Sequence, residues 1–128
     1  MIDPQTLPSV LDALPMAVGI VDADGRLVHA NAGWRVGAGV HPWVGLAQGD
    51  YEAALRADES RVHDEARAVA DAIARARADA GIATWRIEYA FGEARSLRHW
   101  TTTVRRVEHG CVLVTHEDVT HPRSTEAR

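Results

Sequence analysis

Lysine is absent from this 128-residue chain, cysteine occurs once, and long apolar runs are missing. Each absence excludes something. The single Cys111 cannot form an intramolecular disulfide, and no CxxC pair or Cys/His set has the spacing of a zinc site. The longest apolar stretches, such as Met16 to Val21, fall far short of the roughly 20 residues that a membrane span needs. The opening Met-Ile-Asp-Pro lacks the basic n-region of a signal peptide. With 14 basic against 18 acidic residues the net charge is −4, whereas direct nucleic-acid binding needs a basic face. All 14 basic residues are arginine and 22 residues are alanine, a bias of the kind a GC-rich genome imposes. What is present, 46% apolar residues over one ordinary domain length, implies a soluble cytoplasmic domain with its own core.

The apolar pattern divides the chain into elements. Leu7, Val10, Leu11 and Leu14 recur at helical spacing, which predicts a short helix from about Gln5 to Leu14, ended by Pro15. Two short apolar runs, Ala17–Val21 and Leu27–Ala30, flank a turn closing in Asp24-Gly25 and read as a β-hairpin. The segment from Ala32 to Gly49 holds five glycines and Pro42 and reads as short helical turns and loops. Asp50 is placed to cap a helix beginning at Tyr51, and Asp58 or Ser60 to cap a longer one reaching about Ala80, with Gly81 as its C′ residue. Val62, Ala66, Val69 and Ile73 form the apolar stripe of that helix. Then the period becomes two. Trp85, Ile87, Tyr89 and Phe91 mark a strand with one buried face, Leu97–Val107 a second, and Cys111–Thr120 a third after a Glu108-His-Gly110 turn. Three consecutive strands on short turns make an antiparallel meander. The early hairpin joins the same sheet, which predicts an α+β fold with five antiparallel strands and helices packed across one face. The tail from His121 to Arg128 reads as disordered or as the start of a linker.

That order comes with particular residues: Leu11-Asp-Ala-Leu-Pro15, then Ala17-Val-Gly-Ile-Val-Asp22, then Asp24-Gly25-Arg-Leu-Val-His-Ala-Asn31. Together they resemble the PAS sensory-domain family. At the other end, His116-Glu-Asp118-Val119-Thr120 is similar to the Asp-Ile-Thr signature where the last strand hands over to a signalling helix. Tyr89 and Arg98-His-Trp100 fall where many bacterial members carry a Tyr and an Arg-Trp pair. The resemblance implies a cap helix over residues 1–15, a PAS domain over 16–120 and a tail or effector linker over 121–128. It also implies a cavity between sheet and helices, a common place for a small ligand.

Candidate residues follow. Alternation puts His116 on one face with Val112 and Val114, so His116 is either a satisfied structural histidine or a ligand and signal contact. On the preceding strand His99, Thr101, Thr103 and Arg105 share one face, and Trp100, Thr102 and Val104 the other. The resemblance favours Trp100 outward, under the N-terminal helix or a dimer partner, which would turn Thr101 and Thr103 toward the cavity. Tyr89 and Asn31 complete the ligand candidates, although Tyr89 also reads as core and Asn31 as a helix cap. Asp118, Val119 and Thr120 are the signal-transmission candidates, and Leu7, Val10, Leu11, Leu14 and Trp100 the cap and dimer candidates. Cys111 lies at the start of the last strand, where it cannot serve a flavin–thiol photocycle, and it reads as a small buried apolar residue. His63 falls outside the helix stripe beside Asp64 and Glu65, which argues against haem ligation; His41 lies in the loop region. No cofactor is assigned. The histidines of His116-Glu-Asp-Val-Thr-His121 are five apart, not the helical zinc-protease pattern, and the glycines make no nucleotide loop.

The leading expectation is a sensory domain regulating an effector, in cis or in trans, of the histidine kinase, cyclase or transcription-regulator type. Its partners would be that effector and a second copy of itself, with no nucleic acid and no membrane. A ligand-free dimerisation module is the alternative, paired across the Leu7–Leu14 stripe. A remote alternative is a small-substrate enzyme of cone-shaped α+β fold, with His116 or Asp118 as base.

Overall fold

A computed structural model describes residues 7–36, 50–78, 83–92, 95 and 97–120. Five strands make one antiparallel sheet: β1 (Ala17–Val21), β2 (Leu27–Ala30), β3 (Thr84–Phe91), β4 (Arg98–Arg106) and β5 (Val112–Asp118). Their order across the sheet is β2-β1-β5-β4-β3, so the first and last strands of the chain are neighbours at its centre. The meander β3-β4-β5 is as its turns imply, and the hairpin adds to it through β1 against β5.

Turn chemistry sets the hairpins. Asp22 Oδ1 accepts from the backbone N–H of Asp24 at 2.9 Å and of Arg26 at 3.0 Å. Gly25 then takes φ 87°, a left-handed value that a side chain would strain. The hydrogen bond from the Arg26 N–H holds the Asp22 carboxyl below the usual carboxylate range. Between β4 and β5, His109 and Gly110 both take positive φ in the single turn Glu108–Gly110.

The helices are α1 (Leu7–Asp12), α2 (Ala32–Val36), α3 (Tyr51–Arg56) and α4 (His63–Ala78). Asp50 caps α3, its carboxylate accepting from Ala53 N–H at 2.9 Å. Ser60 Oγ accepts from Val62 N–H at 3.2 Å ahead of α4, and Asp58 holds Ser60 in turn. The stripe Val62, Ala66, Val69 and Ile73 is buried, joined by Ala70, Ala72 and Ala76. These alanines let α4 lie close on the sheet, and each fully buried Val or Ile contributes roughly 1.5–3 kcal/mol. Their core partners on the sheet are Val104, Val112 and Val114. Arg77 ties the end of α4 to the rest: it meets Glu52 of α3 at 2.7 Å and the Asp22 carbonyl at 3.3 Å.

Two expectations change. Helix α1 stops at Asp12 rather than Leu14, because Ala13 and Leu14 close the last turn with bonds to Val10 and Leu11. Trp100 faces inward, 8% exposed, with Thr102 and Val104, and not toward a cap helix or dimer partner. The reason is register. Thr102 lies directly opposite the inward His116, and alternation carries Trp100 to the same side and Thr101 and Thr103 to the opposite one. Gln5, His41, Gly81 and the 121–128 tail lie outside the described residues, as does the side chain of Leu7. Among the described residues no helix is long and apolar enough to cross a membrane.

Candidate functional site

Among the described residues, the buried part of the sheet's inner face carries one polar cluster. His116 on β5 is 1% exposed and has an oxygen against each ring nitrogen: Tyr51 Oη at 2.9 Å from Nε2 and Thr102 Oγ1 at 2.7 Å from Nδ1. Tyr89 Oη lies 2.8 Å from the same Thr102 oxygen and 3.4 Å from Nδ1. Each position has a cause. Thr102 is the cross-strand partner of His116, and Tyr89 of β3 is diagonal to Thr102, since Thr102 pairs with Ile87. Tyr51 is the first residue of α3, whose start is fixed by the Asp50 cap, by the Arg26–Asp50 bridge and by Glu52 N–H donating to Gly25 C=O at 3.1 Å.

Trp34 of α2 completes the cluster. Its ring stands edge-on to Tyr51 at 5.2 Å between centroids and tilted to His116, also at 5.2 Å. Gly19, inward on β1, makes room for it: a Cβ there would sit 2.7 Å from the indole and 2.8 Å from Leu27. The indole Nε1–H is buried and has no hydrogen-bond acceptor among the described residues. Burial holds both phenols neutral. It pushes the Tyr51 hydroxyl well above its ordinary pKa, with Tyr89 nearby adding to the effect, and it raises Tyr89 against the opposing hydrogen bond from Thr102. Tyr51 and Tyr89 are the only tyrosines of the chain, and both are in this cluster.

The expected site residues divide. His116 and Tyr89 are together. Thr101 and Thr103 are on the opposite face of β4, and Thr102 takes the inner position. Asn31 is buried but elsewhere: its Oδ1 accepts from Val18 N–H at 2.8 Å and Trp34 N–H at 2.9 Å, and its Nδ2 donates to Leu11 O at 2.7 Å and Met16 O at 3.0 Å. With all four positions engaged by backbone, Asn31 caps α2 and pins α1 to β1, leaving no capacity for a ligand. Sequence reasoning missed Trp34, Tyr51 and Thr102. Tyr51 had one signal, its place just after the Asp50 cap. His63 is exposed, its Nδ1 2.8 Å from Ser60 O, and Cys111 is half-buried. Among the described residues no group of three or more His, Cys, Asp or Glu could hold a metal ion.

The family model described as "PAS fold" matches residues 11–124. The chain is a PAS domain. No curated protein matches it. Among solved structures it is similar to the PAS domain of BvgS from Bordetella pertussis (14% identity, TM-score 0.61, covering 96% of this chain and 90% of that one). It is similar also to the PAS domain of an HTR-like protein from Haloarcula marismortui (14%, 0.53, 90% and 96%). A third similar structure is the phage VqmA–DPO complex (16%, 0.61, covering 97% of this chain and 55% of that one). At such identities the likeness is one of fold.

In this PAS domain the exit of β5 is clasped to the start of β4. Arg98 meets Asp118 at 3.1 Å, Val119 N–H donates to His99 O at 2.8 Å, and His99 N–H donates to Thr120 Oγ1 at 2.7 Å. Thr120 N–H in turn donates to Asp118 Oδ1 at 2.9 Å. Partial burial raises the Asp118 carboxyl, but bonds from Thr120 and the Arg98 charge outweigh it, and its pKa is lowered.

Proposed function

We propose that this PAS domain is a sensory input module. A small ligand engages the His116 cluster, the packing of helices on the sheet changes, and β5 carries the change to Asp118, Val119 and Thr120, where an effector reads it. The observation that carries this reading is the polar cluster itself. Four hydrogen-bonding side chains occupy core positions where apolar residues would pack at lower desolvation cost. One of them, His116, is two residues from Asp118 on the strand that leaves the domain. One structure similar in fold to this chain, that of phage VqmA, is a complex with DPO. An effector of the kinase, cyclase or transcription-regulator type suits such a module, and the role is sensory rather than catalytic.

Amide hydrogen exchange of His116→Leu against wild type tests the coupling. Faster exchange at Val119 and Thr120 than the loss of global stability explains is the expected result. A uniform change across all strands would leave His116 a structural residue only. A second reading has one observation in its favour: Val10 on α1 and Leu14 just beyond its end are 37% and 38% exposed, an apolar edge suited to a homodimer. Sedimentation of Val10→Asp decides it, a wild-type dimer and a variant monomer being expected.

A further inference from the structure

The open edge of the sheet carries a pattern that complements its own reverse. Strand β3 is last in the order β2-β1-β5-β4-β3, so one of its edges has no strand beside it among the described residues. Which backbone groups that edge presents follows from the ladder. Val119 N–H donates to His99 O, so His99, Thr101, Thr103 and Arg105 turn their backbone groups to β5, and Trp100, Thr102 and Val104 turn theirs to β3. The residues opposite them, Trp85, Ile87 and Tyr89, therefore spend their backbone groups on β4. The N–H and C=O groups of Thr84, Arg86, Glu88 and Ala90 point to the open edge.

Such an edge is a template for another strand unless something blocks it. The opposite edge, β2, is four residues long and meets β1 through a register shift. By contrast β3 has eight residues, no proline and an unbroken register from Thr84 to Phe91. Its side chains decide which strand fits. Arg86 and Glu88 are exposed, and neither has an ion-pair partner among the described residues. Trp85 and Ile87, on the other face, are half-buried and line a groove with Ala68, Ala72 and Arg75 of α4. An antiparallel second β3, related by a twofold axis through Ile87, suits each of these features. Arg86 falls opposite the partner's Glu88, and Glu88 opposite the partner's Arg86. Thr84 and Ala90 pair likewise, so every backbone group on the open edge gains a hydrogen bond. Ile87 meets the partner's Ile87, and Trp85 lies across from the partner's Tyr89. Moving the axis to Arg86 or to Glu88 sets like charges against each other, so the charges select the register. We propose that two copies of this domain join edge to edge through β3 into one continuous sheet. The contact is independent of whether the His116 cluster takes a ligand.

Amide exchange on the full chain at rising concentration reads the contact directly. Exchange at the Arg86 and Glu88 N–H groups is expected to slow about tenfold from tens of micromolar to millimolar protein, as sedimentation moves from monomer to dimer. Arg86→Glu creates a like-charge pair on each side of the axis and should weaken the dimer roughly tenfold, as should Glu88→Arg. Both positions are exposed, so neither reversal disturbs the core. An equimolar mixture of the two variants, or the double variant Arg86→Glu/Glu88→Arg, should dimerise like wild type, because each brings opposite charges face to face again. Wild type that stays monomeric at millimolar concentration overturns the proposal. So does failure of both the mixture and the double variant to recover the dimer. A dimer whose Arg86 and Glu88 amides exchange as fast as in the monomer overturns it as well. That dimer would use another surface, such as the α1 edge, and would yield to Val10→Asp rather than to Arg86→Glu.

Discussion

Asn31 and Gly19 do at residue scale what makes the site buildable. Asn31 binds four backbone groups, from α1, Met16, β1 and α2, so Asn31→Ala strands buried donors and acceptors together. A loss of about 3 kcal/mol in denaturant unfolding is expected. Gly19→Val drives two methyl groups into Trp34 and Leu27 and should cost ~1–3 kcal/mol, with a changed tryptophan emission because the indole must move. The tyrosines give a cleaner test still. Both are held neutral in the folded protein, while in the unfolded chain they ionise near pH 10. As pH rises past that value the unfolded chain releases protons that the folded one retains, so stability falls. Because the chain has no lysine, few other groups titrate there. Tyrosinate absorbance should appear only with unfolding, and its appearance in folded protein would contradict the burial of either phenol. That His116 shares a face with Val112 and Val114 was legible from their alternation; that this face is the inner one was not. Thr102 was not, since three consecutive threonines give both faces of β4 the same chemistry. Trp34 escaped because α2 is five residues long, too short for a period to emerge.

At the scale of elements the long helix and the strands were legible because their apolar periods run over several repeats. The Val62–Ile73 stripe and the Trp85–Phe91 alternation are cases of this, and the Asp50 cap was legible because it rests on a single short-range bond. The direction in which β4 faces was not, because it depends on which strand lies beside it, and that is a long-range fact. The element to which the sensory proposal assigns the output is the end of β5. Thr120→Val removes the acceptor for His99 N–H and should raise exchange at His99 and Val119 by about tenfold, the equivalent of one hydrogen bond, while leaving the core amides protected. The Asp118 carboxyl has a lowered pKa, so its contribution is present above about pH 4, the ordinary carboxylate value, and is lost as pH falls through the folded one. The clasp should loosen in acid before the sheet does, and simultaneous loss of both would show that the two are one cooperative unit.

For the whole molecule, the order helix, hairpin, helices, meander predicts one sheet, and the observed order β2-β1-β5-β4-β3 puts the hairpin's first strand against the last. That closure brings the two ends of the chain's β-structure together, so β5 is flanked by β1 and β4. No local pattern specifies it; it follows from burying β5 on both edges. The resulting arrangement places His116 of the buried polar cluster and the proposed output residues Asp118 to Thr120 on and just beyond the same central strand. Sensing of the proposed kind requires that cluster to receive a molecule. Native mass spectrometry of wild type and His116→Leu, each purified from the protein's own host, is the most direct test. Wild type carrying a non-covalent mass that His116→Leu lacks is the result predicted. Wild type and variant both flying at the mass of the bare chain would contradict it.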